Sequence, residues 1–305
     1  MNEFLKKVPF DLYELHLFGL VVTHRSFTKA AEMAGLTQSA ITRQIQGMEN
    51  VLGMELLERT TRSVRPTQAG AFLHRESVRL TGEVDRTLQQ LQEEYAGARK
   101  QIRIGVSSTI GLAYLPGFFH ATLRRSPQIA CRVSNEPSKE LLARLEANEL
   151  DVGILCAPRQ LPQTLRETHR FEDAFTLIAP KGATPAWGAT KPSAKTRAAW
   201  MAKQSWLMIT ENSNTGQRLR SWMTQQGWRV EPTMQLDNFD LIISLVALGL
   251  GTSFVPVRAL APYRHKQNLE IVSLPVRFMR EIVVIVRRNR KMPEHIQSFI
   301  QNILF

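Results

Sequence analysis

The chain has 305 residues, of which 43% are hydrophobic and 22% charged. At roughly 100–200 residues per domain this predicts about two to three domains and excludes wholesale disorder. The formal net charge of +12 suggests an anionic partner, but +1 of it lies before residue 101 and +11 after it, so bulk charge is a weak signature of nucleic-acid binding.

No run of about 18 apolar residues is present, which excludes a transmembrane helix. Met1–Phe10 has Lys6 and Lys7 but no long apolar stretch before a small-residue cleavage site, so no secretory signal and a cytoplasmic location are expected. Cys131 and Cys156 are the two cysteines, too few for a disulfide scaffold or a multi-cysteine zinc or iron–sulfur site.

The first helix is expected from Asp11 to Thr23, with Leu12, Leu15, Phe18 and Val22 on one apolar stripe. Ser26 is placed to cap a second helix, whose Ala30 and Ala31 permit close packing and whose end is marked by Gly35. Leu36 fills the turn, and Thr37 can cap a third helix over Gln38–Leu52 with Ile41, Ile45, Met48 and Leu52 inward. Two short helices around a glycine turn make a helix-turn-helix, whose second helix enters the major groove. On its outward face Arg43 can pair with guanine and Gln38 with adenine, while Ser39, Thr42 and Gln46 can reach bases or phosphates. Beyond Leu56 and Leu57, three arginines in seven residues, Arg59, Arg62 and Arg65, suit a β-wing on phosphates. On periodicity alone, a small helical bundle with a solvated polar face remains open.

Thr67 can cap a long helix to about Ala96. Leu73, Leu80, Val84, Leu88, Leu91 and Tyr95 fall close to a heptad seam, with charged residues on the flanks. Such a seam can pair two chains or pack on its own domain. Residues 67–100 carry no net charge, so this is not a basic DNA arm.

Gly97–Lys100 reads as a hinge. A strand at Ile102–Val106, a helix over Ile110–Arg124, a strand at Ile129–Val133, a helix over Ser138–Ala147 and a strand at Val152–Cys156 follow, an order that argues for a parallel α/β sheet. A second set begins near Phe171. It has strands at Phe175–Ala179 and Trp206–Ile209, a helix over Thr215–Gln226, a strand at Val230–Leu236, a helix over Asn238–Leu248 and a strand at Thr252–Val255. Glu281–Val286 is a further strand, Pro293–Ile303 a closing helix, and Ala183–Thr196 an insertion loop.

Two α/β subdomains enclose a natural small-molecule cleft. Helix N-termini at strand ends offer free N–H groups and a favourable dipole to an anion. The candidates are Ser107, Ser108 and Thr109 after the first strand, Ser138 at the next helix, and Asn212, Asn214 and Thr215 in the second subdomain. Each of these is equally suited to ordinary capping. Cys131 and Cys156 would lie on opposite sides of the first strand, buried and too far apart to bridge.

The seven histidines are scattered, and no HExxH, GxSxG, phosphate-binding loop or dinucleotide-binding glycine motif occurs. Gly249–Leu250–Gly251 lacks the third glycine and reads as a helix-to-strand turn. No enzyme, metal or cofactor is expected.

Several segments, in order and spacing, resemble the LysR-type transcriptional regulator family. They are Ser26–Phe27–Thr28–Lys29–Ala30–Ala31, Leu36 to Ile45, Leu52 to Arg59, and Pro66–Thr67–Gln68–Ala69–Gly70. Thr42 stands where the family usually has serine and keeps the hydroxyl; Leu57 stands for a common phenylalanine at a packing position. Ile102–Val106, Leu145–Ile154 and Leu245–Gly251 are similar to the family's effector domain. The resemblance implies a winged helix-turn-helix at 1–66, a linker and dimerisation helix at 67–97, and a type 2 periplasmic-binding-protein-like domain at 98–305. Subdomain I would take about 101–170 and 276–305, and subdomain II about 171–275. It also implies double-stranded operator DNA, a small-molecule effector at the loops named above, RNA polymerase contact, and a homodimer or homotetramer paired through the linker helices. A regulator with no small-molecule effector, controlled by abundance or a protein partner, is the competing reading.

Overall fold

The computed structural model describes residues 10–59, 64–110, 114, 119, 129–183, 193–261, 263, 266–272, 274, 276–288 and 292–301. The chain divides into two compact units, the first ending at Ala98 and the second beginning at Arg99.

In the first unit, α1 (Leu12–His24) starts at a capping box in which Asp11 and Glu14 satisfy each other's backbone N–H. Helix α2 (Phe27–Ala34) is capped by Ser26 and stopped by Gly35 at φ 65°, a conformation glycine adopts without steric cost. Helix α3 (Gln38–Leu52) is capped by Thr37. Leu15, Leu17, Phe18 and Val21 of α1 pack with Ala30, Ala31, Ile41, Ile45 and Met48, all buried. The buried stripe of α1 is thus rotated from the expected one: Leu12 is exposed and Leu17 and Val21 take its place. Strands β1 (Leu57–Arg59) and β2 (Val64–Pro66) pair antiparallel as a small wing. Helix α4 (Gln68–Tyr95) is capped by Thr67. Gly70 sits against the Leu56 carbonyl, where any Cβ would collide, so α4 can start close under the wing.

In the second unit, β3 (Gln101–Ser107) lies between β4 (Ala130–Glu136) and β5 (Val152–Cys156), parallel to both. Helix α5 (Ser138–Glu146) packs Leu141 and Leu145 on one face of this sheet. The helix expected over Ile110–Arg124 falls largely outside the described residues.

The sheet is mixed rather than all parallel. Strand β6 (Leu165–Pro180) and β11 (Met279–Arg287) pair antiparallel, and β11 also runs antiparallel to β5. The short strand expected at Phe175–Ala179 is the end of this 16-residue strand. Its alternation from Leu165 onward is masked by Arg166, Glu167, His169 and Arg170, which lie on a partly solvated stretch. The end of β6 pairs with β9 (Ser253–Pro256) and with β10 (Leu269–Val272), a strand the sequence did not reveal.

The remaining elements complete the second half. Helix α6 (Ala194–Met201), capped by Ser193, replaces the last residues of the expected insertion loop; residues 184–192 lie outside the described ones. Strand β7 (Trp206–Ile209) pairs in parallel with β8 (Pro232–Leu236). Helices α7 (Asn214–Gln225) and α8 (Phe239–Ala247) cover this sheet, and α9 (Glu294–Gln301) closes the first half. Each half has its own apolar core, one around Ile104, Ile154 and Val284 and one around Trp206, Phe254 and Ile242. Among the described residues, β6 and β11 are the strands that carry the chain between halves, and the cleft lies beside them.

Candidate functional site

On α3, Gln38, Ser39, Arg43 and Gln46 are exposed and Thr42 is half-buried. Two of the hydroxyls already have local work. Ser39 Oγ is 3.1 Å from Thr37 Oγ1 at the helix cap, and Thr42 Oγ1 donates to the Gln38 carbonyl at 2.8 Å. Arg43 Nε makes a 3.5 Å contact with the Ser39 carbonyl, at the limit of hydrogen bonding, so its guanidinium remains available to an external acceptor. Arg59 lies at the end of β1, and Arg62 lies outside the described residues.

Along α4, Leu80, Val84, Leu88, Leu91 and Tyr95 are exposed, at 40% to 80%. Leu73 differs from them: it packs partly buried against the core of the first unit. Leu12 of α1 joins Leu80, Val84 and Leu88 around a shallow groove of about 320 Å3. An apolar stripe of this length left in water is unusual for a helix whose other faces are polar.

All seven residues proposed for small-molecule contact line one cavity of about 670 Å3 in the second unit. Ser107, Ser108 and Thr109 come from the end of β3, Ser138 from the first turn of α5, and Asn212, Asn214 and Thr215 from the start of α7. The first turns of α5 and α7 therefore both border it. Helix α5 has no side-chain cap, because Pro137 occupies the capping position. Free N–H groups and two helix dipoles favour negative charge here. Gly216 lies against the Thr210 carbonyl, a position that excludes a Cβ and lets α7 begin at the cavity wall.

The seven residues are not equivalent. Thr109 and Thr215 are buried, and their hydroxyls lie 3.3 Å apart across the cleft. Asn214 Nδ2 donates to the carbonyls of Cys156 and Ala157, at 3.3 and 3.1 Å. Arg218 Nη2 donates to the Ala157 carbonyl at 2.6 Å. These side chains hold the two halves together. Ser107 is the opposite case: it is 3% exposed, yet its hydroxyl has no hydrogen-bond partner among the described residues. A buried hydroxyl left unpaired costs about 1–3 kcal/mol, which a hydrogen-bonding ligand would recover.

Sequence reasoning missed the centre of this arrangement. Arg280 of β11 is fully buried and donates Nε to Asp173 Oδ2 at 2.7 Å. Its Nη1 donates to Thr109 Oγ1 and Thr215 Oγ1, at 3.2 and 2.9 Å, and its Nη2 to the Thr109 carbonyl at 3.0 Å. The guanidinium also lies 5.1 Å from the Phe175 ring centroid. Burial and the Asp173 charge push the nearby Tyr114 hydroxyl well above its usual titration range. A lone arginine preceding a strand carries no sequence signal for such a role. The cavity also takes in Ser213 of the candidate loop Asn212–Thr215, and Lys139, Arg159, Thr210, Gln217 and Asp237, which were not anticipated.

Cys156 lines the cavity and Cys131 lies on β4, on the other side of β3. Burial pushes both thiols up, away from thiolate chemistry. Among the described residues no group of three or more His, Cys, Asp or Glu could hold a metal ion. Among them, too, no helix is long and apolar enough to cross a membrane.

Two family models match the chain. One, described as a bacterial regulatory helix-turn-helix protein of the lysR family, covers residues 12–71. The other, the LysR substrate binding domain, covers residues 96–304. The RuBisCO operon transcriptional regulator of Allochromatium vinosum is 26% identical over 301 residues, 96% of this chain and 95% of that protein. Among solved structures, a full-length OxyR variant from Pseudomonas aeruginosa aligns with a TM-score of 0.66 at 20% identity, over 96% of this chain and 94% of that one. Full-length CbnR complexed with its target DNA aligns at 0.64 and 18% identity, over 96% and 98%. At these identities the structural likenesses speak for the fold alone.

Proposed function

The chain belongs to the LysR family of DNA-binding transcriptional regulators with an effector-binding domain, and from that premise we propose how its own residues carry out the task. The α3 face made of Gln38, Ser39, Thr42, Arg43 and Gln46 reads operator base edges, and Arg59 and Arg62 of the wing segment hold phosphates. The exposed α4 stripe from Leu80 to Leu91 pairs two chains, so that two recognition helices address two half-sites of double-stranded DNA. A homodimer is the minimum this requires, and a homotetramer extends it; RNA polymerase is the partner through which bound regulator would act. DNA bound in this way places the protein in the cytoplasm.

The 670 Å3 cavity takes a small effector that carries an anionic group. The observation that carries this reading is the convergence of two helix first turns on one cavity whose wall holds the unpaired hydroxyl of Ser107. The effector would act on the bonds that already cross the cleft, at Thr109, Asn214 and Thr215. It must bind two arrangements of the halves with different affinity, or nothing shifts.

A second reading, a regulator with no effector, is favoured by one observation: Arg280, Asn214 and Arg218 already tie the halves together. A thermal-unfolding screen of the full chain against a metabolite library separates the two. All five tryptophans lie beyond residue 99, so their fluorescence follows the second unit alone. A ligand at about 100 times its dissociation constant adds roughly 2.7 kcal/mol. Stabilisation by its upstream DNA and by no metabolite supports the second reading.

A further inference from the structure

The cavity walls carry charges of both signs. Lys139, in the first turn of α5, and Arg159, just after β5, border it from the first half of the unit. Asp237, which immediately precedes the α8 capping residue Asn238, borders it from the second half. Among the described residues none of the three forms an ion pair; Asp237 Oδ1 accepts only from Asn238 Nδ2, at 3.1 Å. Their charges remain available to an occupant of the cleft.

A cavity built for anions alone has no use for Asp237. A second carboxylate brought near it would be repelled, whereas an ammonium group would be attracted. The other wall supplies the opposite preference: Lys139, Arg159 and the uncapped first turn of α5 all favour a carboxylate. The buried hydroxyl of Ser107 offers a further hydrogen bond on that side. Leu142, Pro137 and Pro158 add apolar lining on the side of Lys139 and Arg159.

We infer that the effector is a zwitterion of the α-amino-acid type, its carboxylate held on the Ser107–Lys139 side and its ammonium group facing Asp237. This rests on the reading of the cavity as an effector site and narrows it to one chemical class. It disfavours dicarboxylates, for which Asp237 is a repulsive wall.

The test is binding to the full-length protein, followed by tryptophan fluorescence and calorimetry. The probes are the proteinogenic amino acids, their 2-hydroxy acid and N-acetyl counterparts, and short dicarboxylates, screened beside a general metabolite library. At least one amino acid is expected to bind, with its 2-hydroxy acid and N-acetyl analogues weaker by about five- to tenfold. Asp237→Asn should reduce amino-acid affinity by a similar factor and leave the 2-hydroxy acid unaffected. Binding by acids that lack an ammonium group but by no amino acid would overturn the inference while keeping the effector reading. So would an amino acid whose affinity Asp237→Asn does not change. If no small molecule in the library binds, both the inference and the effector reading fall.

Discussion

Arg280 and Asp173 face each other in register across β11 and β6, the two strands that connect the halves of the effector domain, and their side chains meet at 2.7 Å. Both are essentially excluded from water. A charge pair in this position stabilises little by itself, because desolvation offsets most of the attraction. Its consequence is positional. The same guanidinium holds Thr109 of one half and Thr215 of the other, so the separation of two cavity walls is set from below.

Removing one partner leaves the other charge buried and uncompensated. Arg280→Met is expected to lower the stability of the second unit by about 3–5 kcal/mol, while Arg280→Met combined with Asp173→Leu recovers most of that loss. Urea unfolding of the full chain, followed by tryptophan fluorescence, measures both. A double variant no more stable than the single one would show that the pair is not the source of the effect.

His74 of α4 meets Phe18 of α1 edge-on, with Nδ1 buried and without a hydrogen-bond partner among the described residues. Burial lowers its pKa below the ordinary 6.5. Below that value the unfolded chain takes up a proton that the folded unit resists. The contribution of neutral His74 is therefore complete above 6.5 and is lost as pH falls through its lowered folded value. After correction for intrinsic rates at each pH, amide protection in α1 and α4 should be lower at about pH 5.5 than at about pH 7.5. His74→Leu should flatten that dependence; an equal dependence in the variant assigns it to other groups.

In the proposed reading of α3, Arg43 is the side chain that pairs with guanine. Arg43→Ala should cost about 1–3 kcal/mol at one operator position and relax sequence preference there. Selection from a randomised operator library reads this directly. A uniform loss over all sequences would move Arg43 from base reading to phosphate contact.

Val84 and Leu88 sit mid-stripe on α4 with 42% and 56% of their surface exposed. If the proposed pairing through α4 holds, replacing either by glutamate puts charge into the apolar contact and should yield monomers, while leaving the fold of each unit intact. Light scattering at micromolar concentration gives the mass. An unchanged mass would place the dimer contact elsewhere.

Local signals in the sequence reached far into the first unit. Asp11, Ser26, Thr37 and Thr67 all lie at helix starts, and the last three are legible as caps in the sequence, because capping depends on residues three apart in the chain. The Gly35 turn and the inward set Ile41, Ile45 and Met48 follow from the same short-range chemistry. The candidate loops at Ser138 and at Asn212–Thr215 were legible for that reason too, since each joins a strand end to a helix start. The bias of polar residues over 165–170 hid the first part of β6, and β10 gave no alternation strong enough to register.

What the sequence by itself determined is most of the elements, the helix caps and the inward face of α3. Tertiary structure alone decided which polar groups are spent and which are free. Thr109 and Thr215 are 106 positions apart, and Arg280 is 65 positions beyond Thr215; nothing local links them. Their meeting depends on two long strands crossing between the halves, and pairing over such separations is fixed by the packed sheet rather than by neighbours in the chain. The same closure leaves Ser107 buried without a partner and sets Lys139 and Asp237 on different walls of one cavity.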